Sequence, residues 1–108
     1  MPLEAWDQAL VLDLLKASDE AQGFVAGMDE KAFLADLKTQ KAVEREFEII
    51  GEAARSLGQA AREAYPKVPF RSMIGMRKIL AHDYGRVDPK ELWKTLKEAL
   101  PELVKNLK

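Results

Sequence analysis

Cysteine is absent from all 108 residues. That excludes disulfides and thiolate metal sites, and it fits a reducing cytoplasm. No run of about eighteen apolar residues occurs, so no helix is expected to cross a membrane. Met1-Pro2-Leu3-Glu4-Ala5-Trp6-Asp7 is acidic and lacks an apolar block, so export is not expected. Internal repeats, low-complexity tracts and strand-like alternation of useful length are also missing. An excess of either charge is lacking too: 17 basic and 18 acidic residues leave a net charge of −1. Proteins that hold nucleic acid nonspecifically usually carry a basic surplus, because neutralising phosphate drives that binding. Any nucleic-acid role must therefore rest on a local basic cluster or on a surface assembled from two subunits; DNA is not an expected partner. Arg62, Lys67, Arg71, Arg77, Lys78 and Arg86 offer such a cluster; a solvated charged surface is the plainer reading of the same six.

What the chain does contain is helix signals over one domain, residues 1–108. Hydrophobic residues make up 47% and charged residues 32%, which suits one modest core. From Leu3 to about Gly27, the residues Trp6, Leu10, Leu14, Ala17, Ala21 and Phe24 recur at helical spacing and are expected in the core. Gly27 is a candidate terminator. Asp29 can cap a second, longer helix reaching about Ala64, before Pro66. Its seam runs Phe33, Asp36, Gln40, Val43, Phe47, Ile50, Ala54, Leu57 and Ala61. Asp36 and Gln40 interrupt that apolar pattern. Either this end projects past the core, or both serve a polar pocket or subunit interface. Gly51 inside the helix costs about 1 kcal/mol relative to Ala, and a close helix crossing is the usual compensation.

The same helix carries Glu48 and Glu52 one turn apart, with Arg55 in ion-pair reach of Glu52. Such a pair could be half of a di-iron site, but no Glu-x-x-His occurs to complete one. A solvated face is the better reading, and no metal is expected. Tyr65-Pro66-Lys67-Val68-Pro69 breaks the chain. A short helix follows from about Phe70 to Asp83, with Gly85 placed to terminate it. Asp88-Pro89-Lys90-Glu91 then carries a cap, a proline for the first turn and a capping box. The apolar face of this last helix is Leu92, Trp93, Leu96, Leu100, Leu103, Val104 and Leu107, with a kink expected at Pro101. The expected fold is all-α, an up-down bundle of four to five helices.

Chemistry concentrates in Met76–Gly85, which holds the only histidine, His82, with Arg77, Asp83 and Tyr84 nearby. Arginine grips phosphate with two prongs, and histidine exchanges protons near neutral pH. Together, without metal ligands, they suit phosphodiester cleavage in RNA through the 2′-hydroxyl, leaving a 2′,3′-cyclic phosphate and needing no cofactor. Two proton transfers are needed and each chain has one histidine, so a homodimer is expected to supply the second. The alternative is a histidine that merely caps carbonyls at a helix end or pairs with Asp83. His82 lies five residues past Arg77, so the two converge only if the helix ends around His82.

Arg77, four intervening residues and then His82-Asp83-Tyr84 resemble the R-x4-H-x-Y motif of HEPN domains, in particular the HepT-like minimal toxins. The resemblance covers nearly the whole chain. Phe33–Val43 with Asp36 and Gln40, followed by Glu48-Ile49-Ile50-Gly51-Glu52-Ala53, is similar to the family's second helix. Met76–Tyr84 is similar to its signature helix, and Leu92-Trp93 with Leu100-Pro101-Glu102-Leu103 to its last. The resemblance implies a dimerising HEPN-like bundle with two motifs facing a shared cleft. It further implies a metal-independent endoribonuclease toxin, cytoplasmic, cutting single-stranded or loop RNA, with tRNA among the candidates. Arg77 and His82 would be catalytic. Tyr84 would be the tyrosine that a nucleotidyltransferase antitoxin modifies with AMP. Asp36, Gln40 and Glu52 would line or orient the cleft, with Lys78 and Asp83 in supporting or RNA-contacting positions. Lys78 stands where the family commonly has a small polar residue; it can meet phosphate but cannot accept a hydrogen bond or orient His82 as an amide could. A noncatalytic subunit that presents Tyr84 to a nucleotidyltransferase is the alternative function.

Overall fold

Helix caps, proline breaks and one long apolar seam decide the architecture. The computed structural model describes residues 4–82 and 87–108, with the side chains of residues 81 and 82 outside the description. Within these the chain is an all-α bundle: α1 (Ala5–Phe24), α2 (Glu30–Leu34), α3 (Leu37–Ser56), α4 (Gln59–Ala64), α5 (Phe70–His82), α6 (Pro89–Lys94) and α7 (Leu100–Leu107). A π-helical turn, Thr95–Ala99, joins α6 to α7. The described residues measure 46 × 29 × 19 Å. No helix among them is long and apolar enough to cross a membrane.

α3 is the central element, packed against α1 on one side and α5 on the other. Its seam residues Val43, Phe47, Ile50 and Ala54 are buried, as are Phe33 before it and Leu57 and Ala61 after it. The single helix expected from Asp29 to Ala64 is nevertheless three helices. Asp36 takes φ −117° and ψ 88° and becomes the N-cap of α3, its Oδ1 accepting from the Thr39 N–H at 3.0 Å. The Thr39 hydroxyl donates to the other oxygen at 2.7 Å. A side chain that satisfies the free N–H groups of a helix start competes well with continuing the preceding helix. At the other end Leu57 is extended (φ −66°, ψ 139°) and Gly58 starts α4. Gly58 has no side chain to cap with. Asp7 of α1 replaces it, accepting from the Gly58 N–H at 3.1 Å across 51 positions of sequence. Arg62 closes the same corner by donating from Nη2 to the α3 carbonyls of Ala54 (3.3 Å) and Arg55 (3.0 Å).

α1 buries Leu10, Leu14, Ala17 and Ala21 as its spacing requires, whereas Trp6 is 68% exposed and Phe24 45% exposed, so neither belongs to the core. α1 ends before its last predicted turn, and Gly27 sits in the following turn at φ +81°, a value glycine adopts without strain. Asp29 caps α2 through the Ala32 N–H (2.8 Å), and Asp88 caps α6 through the Lys90 N–H (2.9 Å). The latter bond reaches the second residue of the helix, where a capping box would reach Glu91. In place of a simple kink at Pro101, the helix widens just before it: Leu100 donates to the carbonyl of Thr95, five residues back. Proline has no N–H to give, and a π-turn is a usual accommodation in a helix. Leu92, Leu96, Leu100, Leu103 and Leu107 remain on the buried face. Trp93 is half-buried against Phe33, ring centroids 5.3 Å apart, with Lys97 Nζ 4.7 Å above its ring.

Candidate functional site

Gly51 on α3 brings the signature helix close. A Cβ built there would overlap the Cβ of Arg77 and lie 2.9 Å from the Met73 carbonyl oxygen. The helices cross at this point, and the crossing seats Arg77 beside the next residue of α3. Arg77 Nε lies 2.7 Å from Glu52 Oε2. That oxygen is buried and takes no hydrogen bond of good angle, so the contact is an ion pair whose N–H is not aligned along it. Arg55 Nη2 meets the other oxygen of Glu52 at 3.1 Å. The Arg55 hydrogen bond first, then the charges of Arg55 and Arg77, hold the Glu52 carboxyl below its ordinary range despite partial burial. Glu52 is thus an anion at neutral pH that engages Arg77 through Nε. No described residue takes the terminal amino groups of Arg77, the two that grip an oxyanion.

Arg77 lines a cleft of about 380 Å³ between α1, α3 and α5. Trp6, Leu10 and Asp13 line it from α1, with Arg45, Glu48, Glu52 and Ser56 among its α3 walls. Arg45 is 3.2 Å from Glu48, so the wall carries two arginine–glutamate pairs, one at each end. The structure therefore gathers Arg77 and Glu52 at one site. Asp36 and Gln40 occupy another: Gln40 is buried and its Nε2 donates to the carbonyls of Phe33 (2.9 Å) and Leu34 (3.2 Å), tying the end of α2 to the start of α3. Hydrogen bonds to Thr39 hold the Asp36 carboxyl below its ordinary range. The interruption of the apolar seam is a helix junction.

Among the described residues, Arg62 and Lys67 do not gather around Arg77. Arg62 is spent on the α3 terminus, Lys67 lies beside Glu91 and Lys94 in a depression along the last helices, and Arg71 and Lys78 are exposed. Arg86, Asp83, Tyr84 and Gly85 lie outside the described residues, as does the His82 side chain. The backbone of α5 is still helical at His82. Five helical residues rotate the Arg77 and His82 positions about 140° apart and separate them by about 7.5 Å along the axis. α5 is described to His82, its last residue, which is where the sequence places the helix end. Among the described residues, no three His, Asp or Glu side chains are placed to hold a metal ion.

Sequence reasoning missed one notable group, Glu46. It is 5% exposed at the α1–α3 contact, and its Oε2 has no hydrogen-bond partner among the described residues. Burial first, then a shared hydrogen bond and charge repulsion with Glu20, push its carboxyl up to about 7 against the opposing pull of Arg45 and Lys16. Its position one turn before Ile50 was readable, but nothing in the spacing says that Glu20 faces it.

An all-α bundle whose signature helix presents an arginine beside a carboxylate-lined cleft defines the class. The family model described as ribonuclease HepT-like matches residues 14–108, and the chain belongs to that family. It is 41% identical over 91 residues to the "Probable ribonuclease HepT" of Thermococcus cleftensis, covering 84% of this chain and 83% of that one. It is 36% identical over 100 residues to "Putative RNase MJ1380" of Methanocaldococcus jannaschii, covering 93% of this chain and 92% of the relative. A Caldanaerobacter subterraneus relative, "Putative RNase TTE0752", is 38% identical over 84 residues, 78% of this chain and 75% of that one. No solved structure matches the chain.

Proposed function

We propose that this protein is a metal-independent endoribonuclease toxin that cuts RNA by attack of a 2′-hydroxyl on the adjacent phosphate. The observation that carries the reading is Arg77, which lines the cleft and is held through Nε by Glu52 at 2.7 Å, its two terminal amino groups taken by no described residue. Those two N–H-bearing groups suit two oxygens of a phosphodiester and stabilise the extra charge of a five-coordinate phosphorus. His82 moves the protons. The 2′-oxygen bonds to phosphorus as its proton leaves, and the bond to the 5′-oxygen breaks as that oxygen is protonated. The products are a 2′,3′-cyclic phosphate and a 5′-hydroxyl.

Two proton transfers and one histidine per chain favour a homodimer that supplies the second histidine. Tyr84, two residues past His82, is the control point. Transfer of AMP from ATP to its hydroxyl by a nucleotidyltransferase antitoxin, with release of pyrophosphate, adds a bulky anion within the motif that competes with RNA phosphate.

Purified protein incubated with structured RNA in excess chelator is expected to yield fragments ending in cyclic phosphate. Fragments ending in 3′-hydroxyl, or cleavage abolished by chelator, would refute the mechanism. After co-expression with the nucleotidyltransferase, the mass is expected to rise by AMP units that Tyr84→Phe no longer accepts; an adduct on that variant would exclude Tyr84.

A further inference from the structure

The cleft beside Arg77 carries a surface that phosphate chemistry does not use. Trp6 stands on the first turn of α1 with 68% of its surface exposed, at a helical position where the sequence pattern calls for core. It lines the same cleft as Arg77, with Leu10 one turn on and Asp13 two turns on, about 10 Å along the axis. Of the three carboxylates in the wall, Glu52 is engaged by Arg55 and Arg77 and Glu48 by Arg45. Asp13 has no ion pair or hydrogen bond among the described residues. An indole face, an apolar floor and a free carboxylate in line do not fit a phosphate, since the carboxylate repels it. They fit a planar ring with N–H donors along one edge: the ring stacks on the indole, and the carboxylate, which can only accept, takes the N–H groups.

We infer that this part of the cleft is a nucleobase subsite selective for guanine, with Trp6 as its stacking face and Asp13 reading the adjacent N1–H and N2 amino donors. Guanine alone among the four bases offers two neighbouring N–H donors of that kind to one carboxylate; uracil offers a single N–H flanked by two acceptors. The inference rests on the ribonuclease reading, because Arg77 in the same cleft supplies the phosphate contact that delivers the base. It adds what that reading leaves open, namely which nucleotide is held beside the scissile bond.

The test uses the full chain carrying Trp93→Phe, which keeps an aromatic ring against Phe33 and leaves Trp6 as the sole tryptophan. The probes are trinucleotides UGU, UAU, UCU and UUU, 2′-O-methylated so that they cannot be cut. Quenching of Trp6 emission is expected, with UGU bound at least about tenfold more tightly than UUU. Read by the fluorescence anisotropy of the same probes carrying a 3′-fluorescein, Asp13→Asn is expected to erase the guanine preference, and Trp6→Ala to weaken all four, with Trp6→Phe recovering most of the loss. Equal binding of the four probes, or a guanine preference that survives Asp13→Asn, would overturn the subsite. A Trp6 emission change that follows protein concentration without RNA, together with unchanged RNA binding by Trp6→Ala, would give the surface to a second copy and also overturn it. RNA cleavage by the Trp93→Phe parent is measured in parallel. Cleavage with equal probe binding refutes the subsite alone, whereas absence of cleavage with guanine-selective quenching refutes the nuclease reading alone.

Discussion

Arg77 Nε sits 2.7 Å from Glu52 Oε2, and this contact exists only because residue 51, one position earlier on α3, is glycine. The pair is partly exposed, so solvent screens it and its contribution to stability is small. Its consequence is orientation: a guanidinium tethered through Nε presents its two terminal groups in one direction.

Glu52→Gln is expected to lower RNA cleavage by roughly tenfold or more while shifting the urea midpoint only slightly, because orientation is worth more to a transition state than to the fold. The Glu52 carboxyl is held below its ordinary range by Arg55 and Arg77, so between pH 5 and 8 its ionisation does not change. Cleavage by the parent and by Glu52→Gln should therefore have pH profiles of the same shape, measured as initial rates across that range. A profile that loses an acidic limb in the variant would show Glu52 to be a proton donor or acceptor.

Gly51→Ala gains up to about 1 kcal/mol of helix propensity. It also forces a methyl into the Cβ of Arg77 and near the Met73 carbonyl, and overpacking of that kind typically costs about 1–3 kcal/mol. The expected net result is destabilisation by about 1–2 kcal/mol in urea unfolding, with loss of most RNA cleavage as Arg77 is displaced. A more stable and fully active variant would show that the helices separate without consequence.

Gln40→Ala and Asp36→Ala test whether these residues belong to the cleft or to the α2–α3 junction. Each is expected to lower stability by about 1–2 kcal/mol through lost capping or orphaned carbonyls. Once folded, each should cleave RNA at the parental rate. Loss of cleavage with unchanged stability would return them to the site.

Glu46 gives the fold a pH dependence. Its carboxyl is pushed from 4.5 up to about 7 in the folded chain, so the folded state binds a proton that the unfolded state has released. By linkage the stability it contributes is fully present below about pH 4.5 and is lost as pH rises through about 7. The loss should be on the order of 2–3 kcal/mol at the α1–α3 contact. Glu46→Gln, neutral at every pH, is expected to flatten this decline and to be more stable than the parent at pH 8, measured by thermal or urea unfolding at pH 5 and pH 8. An unchanged slope in the variant would contradict the assignment.

The helical class, the seam from Phe33 to Ala61 and the caps Asp29 and Asp88 were legible because they depend on local chemistry and spacing. The breaks inside the expected long helix were harder to read, for two different reasons. Asp36 has the residue type of a cap but falls in register with the seam, so periodicity concealed it. Gly58 is capped by Asp7, 51 positions away, a partner that no local pattern reveals. Trp6 was misplaced for a related reason: helical spacing says which face a residue shares, but not how far the partner helix extends to cover it. At the site, Gly51 announced a close crossing and Glu52 a nearby arginine. That the crossing helix brings Arg77 to Glu52 follows from tertiary packing alone.

The central claim is that Arg77 and His82 carry out cleavage. The most direct measurement compares RNA cleavage by the parent, by Arg77→Ala and by His82→Ala. Each variant should lose at least about a hundredfold in rate, as removal of a charge stabiliser or proton carrier typically does. Parental rates from both single variants would contradict the account.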